Sequence, residues 1–264
     1  MTPEPSRAGR DQFVTFSAAA GVAQIALARP EKRNALNPET IRQLRDALTE
    51  AGRDEQVRVV VLRAEGPDFC AGADLESLAG LVDAGADAHR ADARAFADLY
   101  LAMRSLAKPV IGSVRGRALG GGAGLVTACD IVVAGDDTRI GYPEVRIGFV
   151  AAVVMAMLRA TVPEKAAFEL AATGRIVNAD EALRLGLVTR VVASADADSE
   201  AMRLAAEIAS LPADAVAATK KIFHEVDGLS LQDAFDLGVE VNVAARTKPA
   251  FREGLNSFLS RRRE

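Results

Sequence analysis

The feature that most constrains the fold is a series of short apolar runs that alternate with longer amphipathic stretches. The run at 57–62 reads VRVVVL, and the run at 110–114 reads VIGSV. Short, nearly continuous runs rich in valine are typical of strands covered on both faces of a parallel sheet. Intervening stretches such as 38–54 carry apolar residues at helical spacing. Because strands and helices alternate, the sequence predicts an α/β fold.

The same signals predict the other elements and the organisation of the chain. We expect further strands at 13–17, 22–28, 131–134, 139–141 and 187–192, and further helices at 86–106, 151–161, 163–172 and 179–185. From Ala195 the pattern is helical to the end, with breaks near Pro212, Gly228 and Pro249. The sequence therefore predicts a loose N-terminus at 1–11, a core at 12–194 and a helical C-terminal region at 195–264.

Composition and charge exclude several classes of protein. Of the 264 residues, 50% are hydrophobic and 26% are charged, which excludes general disorder. The net charge of −4 argues against a general nucleic-acid binder, which would be basic over one face. No apolar stretch approaches the length of about 18 residues that a membrane span needs. Since the first residues also lack the apolar run of a secretory signal, we expect a cytoplasmic protein with neither nucleic acid nor membrane as a partner.

Two glycine-bearing turns are the first indication of a catalytic site. The turn at 69–74 reads FCAGAD and follows the strand 57–62, while the turn at 118–124 reads ALGGGAG and follows the strand 110–114. Glycine lets a ligand approach the main chain closely, and a helix N-terminus presents unpaired N–H groups. Two such turns from neighbouring strands can direct two N–H groups at one oxygen atom, which is an oxyanion hole. Two tight turns with a purely structural role are the alternative.

Other kinds of site fit the sequence less well. The GGGAG run resembles a dinucleotide-binding loop, but no acidic residue ends a strand about 20 residues later. No serine occupies a strand–turn–helix elbow, which argues against a Ser-His-Asp hydrolase. The cysteines and histidines are scattered, so we expect no metal site and interpret the cysteines as buried thiols. These residues are Cys70, Cys129, His89 and His224.

Further motifs follow in a fixed order along the chain. They are RPEKRNAL at 29–36, ACDI at 128–131, GYPEVRIG at 141–148, TGR at 173–175, ADEALRLGLV at 179–188 and FREG at 251–254. Together with the two glycine-bearing turns, they resemble the crotonase family of enoyl-CoA hydratases and isomerases over about residues 12–260. The resemblance implies a crotonase-like spiral of ββα units. It also implies a helical C-terminal region that covers the site and assembles a homotrimer or a dimer of trimers.

The resemblance further implies how an acyl-CoA thioester is bound. The N–H groups of Ala73 and Gly121 would hold the thioester oxygen. Arg29, Lys32 and Arg33 form a basic cluster, in which Arg33 is the best match to a contact with a CoA phosphate. Coenzyme A is part of the substrate, so no separate cofactor is expected. The rest of the binding path would be lined at Ala35, Ala71, Gly72, Asp74, Leu75 and Gly120.

Glu144 is the candidate acid–base residue. It follows Pro143 in a segment that is otherwise apolar or backbone-restricted. A carboxylate there would be partly desolvated, which raises its pKa and suits proton transfer. By the same resemblance, hydratases of the family carry a catalytic glutamate at this position.

Two departures from the family pattern leave the reaction open. The standard hydratases carry a second glutamate where this chain has Gly124, and apolar residues at 149–158 replace a glycine-rich turn. The latter feature resembles relatives that act on branched or carboxylated acyl groups. The C-terminal tail or the segment 75–95 could supply a second carboxylate. The acidic residues considered in that segment are Glu76, Asp83, Asp87 and Asp92.

Four functions are compatible with this pattern. The favoured one is an enoyl-CoA hydratase that adds water to the 2,3 double bond through the oxyanion hole and a single glutamate. An enoyl-CoA isomerase is the second, because one carboxylate suffices to move a proton between Cα and Cγ. The same hole supports hydrolysis or decarboxylation of an acyl-CoA. The fourth is a non-catalytic acyl-CoA-binding scaffold, against which the intact positions Ala73, Gly121 and Glu144 argue.

Overall fold

The structure is a computed structural model that describes residues 12–261. Within this range, nine strands form two sheets. The strands are β1 (Val14–Ala19), β2 (Val22–Leu27), β3 (Val59–Ala64), β4 (Val110–Val114), β5 (Arg117–Leu119), β6 (Ile131–Gly135), β7 (Arg139–Gly141), β8 (Ile176–Asn178) and β9 (Arg190–Val192).

Helices connect and cover these strands. They are α1 (Pro38–Arg53), α2 (Leu75–Ala79), α3 (Ala86–Ser105), α4 (Gly121–Ala128), α5 (Ala152–Thr161), α6 (Glu164–Thr173), α7 (Ala179–Leu185), α8 (Ala197–Ala209), α9 (Ala213–Glu225), α10 (Leu231–Arg246) and α11 (Pro249–Arg261). Short 3₁₀ helices lie at Pro30–Lys32, Pro143–Ile147 and Ser194–Asp196. No helix in the described range is both long and apolar enough to cross a membrane.

The main sheet has the strand order β1-β2-β3-β4-β6-β9. β1 is antiparallel to β2, and the other neighbouring strands are parallel. Side chains of β3 alternate between two apolar clusters: Val60 and Leu62 pack on one face, and Val59 and Val61 pack on the other. The valine-rich run therefore forms a strand buried on both faces, as the sequence predicts.

Helix α1 shows how local sequence sets the boundaries of an element. Asn37 caps its N-terminus, because the side-chain oxygen accepts a hydrogen bond from Thr40 N–H at 2.8 Å. Pro38 follows in the first turn, where its missing N–H costs nothing. Ile41 and Leu44 lie on the buried face and pack into the core. The helix predicted at 38–54 is thus confirmed to within one residue.

A second, smaller sheet has the strand order β5-β7-β8. β5 is parallel to β7, and β7 is antiparallel to β8. Cys70 forms an isolated parallel bridge with Ala118 of β5, and Leu36 forms one with Ala73. These bridges extend the sheet through the loops that follow β2 and β3, so several candidate site segments run side by side.

Most predicted elements are confirmed, with corrections at their ends. β3 begins at Val59 rather than at residue 57, because its pairing with β2 starts opposite Val22. The predicted strand 187–192 shortens to β9, because Leu187 N–H bonds back to Ala182 and closes α7. The glycine-rich turn is also shorter than expected, since α4 begins at Gly121. The short elements β5, β8 and α2 are absent from the sequence prediction, and β5 lies inside the stretch assigned to the glycine-rich turn.

The predicted boundary at residue 195 does not mark the end of the core. Helix α8 buries Ala201, Leu204 and Ala205 against the face of the main sheet formed by Val59 and Val61. The helices that follow are much less buried. In α10 no residue is buried, and α9 buries one side chain, that of Lys220.

Lys220 attaches α9 to the core through three buried contacts. Its Nζ lies 2.7 Å from Asp130 Oδ2 and donates to the carbonyl oxygens of Met103 (2.9 Å) and Lys108 (3.1 Å). Burial lowers the pKa of Lys220, while the charge and hydrogen bond of Asp130 oppose that shift. An ammonium group has three N–H donors, so each has an acceptor here.

The change Lys220→Ala removes a buried partner from Asp130 and from two backbone carbonyl oxygens. We expect it to lower the free energy of unfolding by about 3 kcal/mol, as breaking a buried ion pair typically does. Lys221→Ala is the matched control, because Lys221 is exposed and lies 3.7 Å from Glu225. Its expected cost is below about 0.5 kcal/mol. Urea unfolding of both variants measures the difference, and equal losses would show that Lys220 does not anchor α9.

Candidate active site

Backbone hydrogen bonds align the two glycine-bearing turns with the end of β7. Cys70 N–H donates to the carbonyl oxygen of Arg117, and Leu119 N–H donates to that of Cys70, both at 2.9 Å. Gly120 N–H then donates to the carbonyl oxygen of Gly141, also at 2.9 Å. The turn after β3, the turn before α4 and the segment after β7 are therefore held in one layer.

The two turns touch at Gly72. Its φ is +98°, and a Cβ atom there would lie 2.7 Å from the carbonyl oxygen of Leu119 and 3.4 Å from the nitrogen of Gly121. A side chain would force the turns apart, so glycine is required at this contact. The N–H groups of Ala73 and Gly121 flank the contact, and neither donates to an acceptor within residues 12–261. Two free N–H groups so placed can hold one negatively charged oxygen atom.

Glu144 lies against the same layer, in the 3₁₀ helix Pro143–Ile147. A Cβ atom on Gly120 would lie 3.2 Å from Glu144 Oε1, which places the carboxylate beside the start of α4. Its Oε2 atom is buried and has no hydrogen-bond partner in the described chain. Burial raises the pKa of Glu144, and a hydrogen bond to its own backbone opposes the shift in part. A carboxyl group of this kind is suited to taking up and releasing a proton.

The position of the missing second glutamate is filled from another helix. A Cβ atom on Gly124 would overlap the hydroxyl group of Tyr100, which belongs to α3. The same hydroxyl donates to the carbonyl oxygen of Gly121 at 2.9 Å. The sequence places Tyr100 on the apolar face of its helix but gives no sign of this contact, because the contact depends on how α3 packs against α4.

The acidic residues considered as replacements fall into three groups. Glu76 is paired with Lys32 at 2.8 Å on the surface, and Asp83 and Asp87 are exposed. Asp92 is partly buried, and burial raises its pKa. It lies on α3 one helical turn before Phe96 and two turns before Tyr100, so these three side chains share a face. Of the four acids, Asp92 is the one placed on the face of α3 that packs against α4.

The basic cluster is divided by the structure, which corrects the expectation for Arg29. Arg29 is 7% exposed, lies 3.2 Å from Asp74 Oδ2 and stacks over the ring of Phe13. It is an internal ion-pair partner rather than a free cation. Arg33 instead has a side chain that is 60% exposed and lies 4.0 Å from Asp68 Oδ2. Arg33 therefore keeps a charge that an anionic ligand could reach.

The residues expected to line the acyl-CoA binding path have few free backbone N–H groups. Ala35 N–H donates to Lys32, Ala71 N–H to Arg33 and Asp74 N–H to Leu36. A ligand at Ala35, Ala71 or Asp74 would therefore have to contact something other than these N–H groups. Leu75 is exposed and starts α2.

The side chain of Asp74 has a structural role. It accepts hydrogen bonds from Glu76 N–H and Ser77 N–H and so caps α2. Burial alone would raise its pKa, but the hydrogen bonds from Ser77, Arg29 and Glu76 hold it below the usual value. Asp74 is thus fixed as a carboxylate.

The apolar stretch at 149–158 is exposed at its start and buried at its end. Phe149 and Val150 are exposed, whereas Met157 and Leu158 pack into the core. An apolar cavity of about 590 Å³ lies away from this stretch, between α8 and α9, and is lined by Ile208, Leu211, Val216 and Phe223 among others. No group of three potential metal ligands lies together in the described range. The expectation of no metal and no separate cofactor stays a prediction.

Comparison with known proteins gives consistent matches over nearly the whole chain. The profile of the enoyl-CoA hydratase/isomerase family matches residues 17–264. A protein of Thermus thermophilus with the provisional name enoyl-CoA hydratase is 40% identical over 241 residues, which are 91% of this chain and 95% of that protein. The human mitochondrial enoyl-CoA hydratase domain-containing protein 3 is 32% identical over 264 residues, covering 98% of this chain and 86% of that protein.

Solved structures agree with this result. The crystal structure of an enoyl-CoA hydratase from Mycobacterium smegmatis has a TM-score of 0.91 and 32% identity, covering 95% of this chain and 97% of that chain. The crystal structure of the human domain-containing protein 3 also has a TM-score of 0.91, at 31% identity, covering 95% of this chain and 98% of that one. The predicted crotonase-like fold is confirmed, and the chain belongs to the enoyl-CoA hydratase/isomerase family.

Proposed function

We propose that this protein is an enoyl-CoA hydratase that adds water reversibly to the 2,3 double bond of an acyl-CoA thioester. The observation that carries the proposal is the unpaired, buried Oε2 atom of Glu144, beside the free N–H groups of Ala73 and Gly121. The names of the relatives as hydratases support the same reaction. A thioester oxygen between the two N–H groups would bring the reacting carbons towards Glu144.

The proposed reaction needs one carboxylate. Glu144 takes a proton from a water molecule, and the hydroxide adds to Cβ. The electron pair of the 2,3 double bond then forms the double bond between Cα and the thioester carbon, while the carbonyl pair moves to the thioester oxygen. Ala73 and Gly121 stabilise the resulting enolate oxygen through their N–H groups. The protonated Glu144 then returns its proton to Cα as the thioester carbonyl reforms. The raised pKa of Glu144 suits this step, because the group must hold a proton briefly at neutral pH.

Isomerisation of the double bond is the second candidate. Tyr100 occupies the place where a second carboxylate would hold the water, which favours a reaction without water. In that reaction Glu144 removes a proton from one carbon and returns it to another, through the same enolate. Hydrolysis, decarboxylation and a non-catalytic acyl-CoA scaffold are further possibilities that a substrate survey separates.

We also infer that Arg33 binds a phosphate of the CoA part. Its exposed guanidinium follows the turn at 29–32, and its main chain is tied to the site because Ala71 N–H donates to the Arg33 carbonyl oxygen at 2.9 Å. An exposed cation held beside the thioester site is suited to the anionic end of an acyl-CoA.

We further infer a homotrimer or a dimer of trimers, in which another copy of the chain covers α10. That helix carries Leu231, Phe235, Val239 and Val243 four residues apart, and each is more than half exposed. Residues four apart share a helix face, so they form one apolar stripe. Such a stripe is typical of a protein interface.

The change Glu144→Gln removes the acid–base group and keeps the size of the side chain. We expect kcat on a short straight-chain 2-enoyl-CoA to fall at least about 100-fold, with binding of the CoA thioester little changed. Loss of the enoyl absorbance measures turnover. If the parent protein leaves the 2-enoyl-CoA unchanged but converts a 3-enoyl-CoA, the isomerase is established. Substantial turnover by the variant would remove Glu144 from the mechanism.

The same variant gives a prediction for stability. Burial raises the pKa of Glu144 in the folded state, so the folded protein carries an unfavourable charge at any pH above that pKa. Below the unfolded value of about 4.3 the group is neutral in both states and the cost disappears. We expect Glu144→Gln to unfold at a higher temperature than the parent at about pH 8. The difference between the two unfolding temperatures should become smaller towards about pH 5. A gap that does not depend on pH would contradict a charge effect.

The change Phe235→Glu places a charge in the apolar stripe of α10. If another copy covers the stripe, we expect the assembly to dissociate towards monomers, because an unpaired charge is costly in an interface. Size-exclusion chromatography with light scattering gives the mass. Gln232→Glu is the control, since it adds the same charge to the exposed surface of the same helix. An unchanged mass for Phe235→Glu would place the interface elsewhere.

A further inference from the structure

The hydroxyl group of Tyr100 donates a hydrogen bond to the carbonyl oxygen of Gly121 at 2.9 Å. Tyr100 is buried and belongs to α3, which lies outside the two glycine-bearing turns in the sequence. The accepting carbonyl belongs to the residue whose N–H group is one of the two free donors. The hydroxyl group thus holds the first turn of α4 through the carbonyl group of Gly121, the residue that also offers a free N–H group.

The first turn of α4 is held by its neighbours: Gly120 N–H donates to the carbonyl oxygen of Gly141, and Gly122 lies against Cys70. Residues 120–122 are all glycine, and a glycine backbone has more conformational freedom than any other. No side chain of these residues can pack, so neighbouring groups must fix the turn. Phe96 of α3 covers Gly121, where a Cβ atom would come within 2.8 Å of the Phe96 ring. Tyr100 adds the directed hydrogen bond that Phe96 cannot supply.

The ring of Tyr100 also fills the space beside Gly124. A Cβ atom there would overlap both the hydroxyl oxygen and the ring carbon that carries it. A carboxylate on a longer side chain has no room at this position while Tyr100 is present. The tyrosine at position 100 can therefore pack against α4 only because position 124 is glycine.

We propose that Tyr100 is a positioning residue of the oxyanion hole, which orders the first turn of α4 through its hydroxyl and takes the space of the second carboxylate with its ring. The proposal rests on the oxyanion hole described under the proposed function. It does not depend on whether that hole serves hydration, isomerisation or another thioester reaction.

Electrostatics keep the Tyr100 hydroxyl in its donor form. Burial raises the pKa of Tyr100, and the nearby Cys70, Glu144 and Tyr142 raise it further. The hydroxyl therefore stays protonated over the whole range in which an enzyme of this kind works. The hydrogen bond to Gly121 is then constant with pH.

Tyr100→Phe tests the hydrogen bond, because it keeps the ring and removes the donor. Butyryl-CoA with ¹³C at the thioester carbon is the probe, since it binds without a double bond to react. We expect its carbonyl stretch to shift to lower frequency on the parent protein, and to lose a large part of that shift on Tyr100→Phe. On a 2-enoyl-CoA we expect kcat to fall about 10-fold, which corresponds to about 1.4 kcal/mol. We expect KM and the pH profile to stay near those of the parent.

Thr127→Val is the matched control. Thr127 lies on the last turn of the same helix, where its hydroxyl donates to Ala123 and pairs with Tyr142 at 2.7 Å. Both variants lose a buried hydroxyl that bonds α4, so both should unfold at lower temperatures. Tyr100→Phe alone should change the carbonyl shift. Equal carbonyl shifts in parent, control and Tyr100→Phe would overturn the proposal, whereas absence of any shift in the parent would overturn the oxyanion hole itself.

A second pair of variants tests the space-filling role. Gly124→Ala should strongly lower the unfolding temperature of the parent, because the new Cβ atom meets Tyr100. In a Tyr100→Ala background the same change should cost little, so the two effects are not additive. Equal cost in both backgrounds would show that Tyr100 does not occupy the space at position 124.

Discussion

The backbone ladder that joins Cys70 to Arg117 and Leu119 is the constraint on which the candidate site depends. Ala73 and Gly121 are far apart in the sequence, and they meet because β3 and β4 are parallel neighbours whose following turns stay paired. Gly72 permits that pairing, since any side chain there would collide with the other turn. The proposed oxyanion hole is therefore a property of main-chain geometry, in which the side chain of Ala73 has no part. Anything that spreads the two turns would change the site without touching a catalytic side chain.

Two carboxylates near this layer show how the environment sets the role of a group. Asp74 accepts hydrogen bonds from two backbone N–H groups and from Arg29, and its pKa is lowered, so it stays ionised and holds α2 in place. Glu144 has one oxygen without a partner in the described chain, and its burial raises the pKa. That arrangement does not favour folding, because a partly buried carboxylate with one oxygen atom lacking a partner destabilises the native state. Such a cost at the start of α4 is characteristic of a functional group rather than a structural one.

Sequence alone predicts the α/β order, the buried strands and the main helices, because their apolar periods extend over five or more residues. It also predicts that the segments around Ala73, Gly121 and Glu144 carry chemistry, through glycine-bearing turns and a desolvated glutamate. The three-residue strands β5 and β8 are missed because their sequences do not separate them from the neighbouring turns, whereas β7 of the same length is predicted. The buried ion pair of Arg29 and the contact of Tyr100 with α4 join residues distant in the sequence. Such contacts form only in the folded chain, which explains why Arg29 resembles a free cation in the sequence.

The place of Tyr100 bears on which reaction the site can perform. The number of carboxylates does not separate hydration from isomerisation, because one carboxylate can return the proton it removes in either case. The difference is the water molecule, which hydration must hold between Glu144 and the double bond. By the family resemblance, a second glutamate at position 124 would help to hold that water. Here a tyrosine ring fills the corresponding space, and its hydroxyl is directed to the carbonyl of Gly121. The choice of reaction therefore depends on whether the bound acyl chain leaves enough space for a water molecule beside Glu144. The volume of the site decides this, rather than the acid–base chemistry of Glu144.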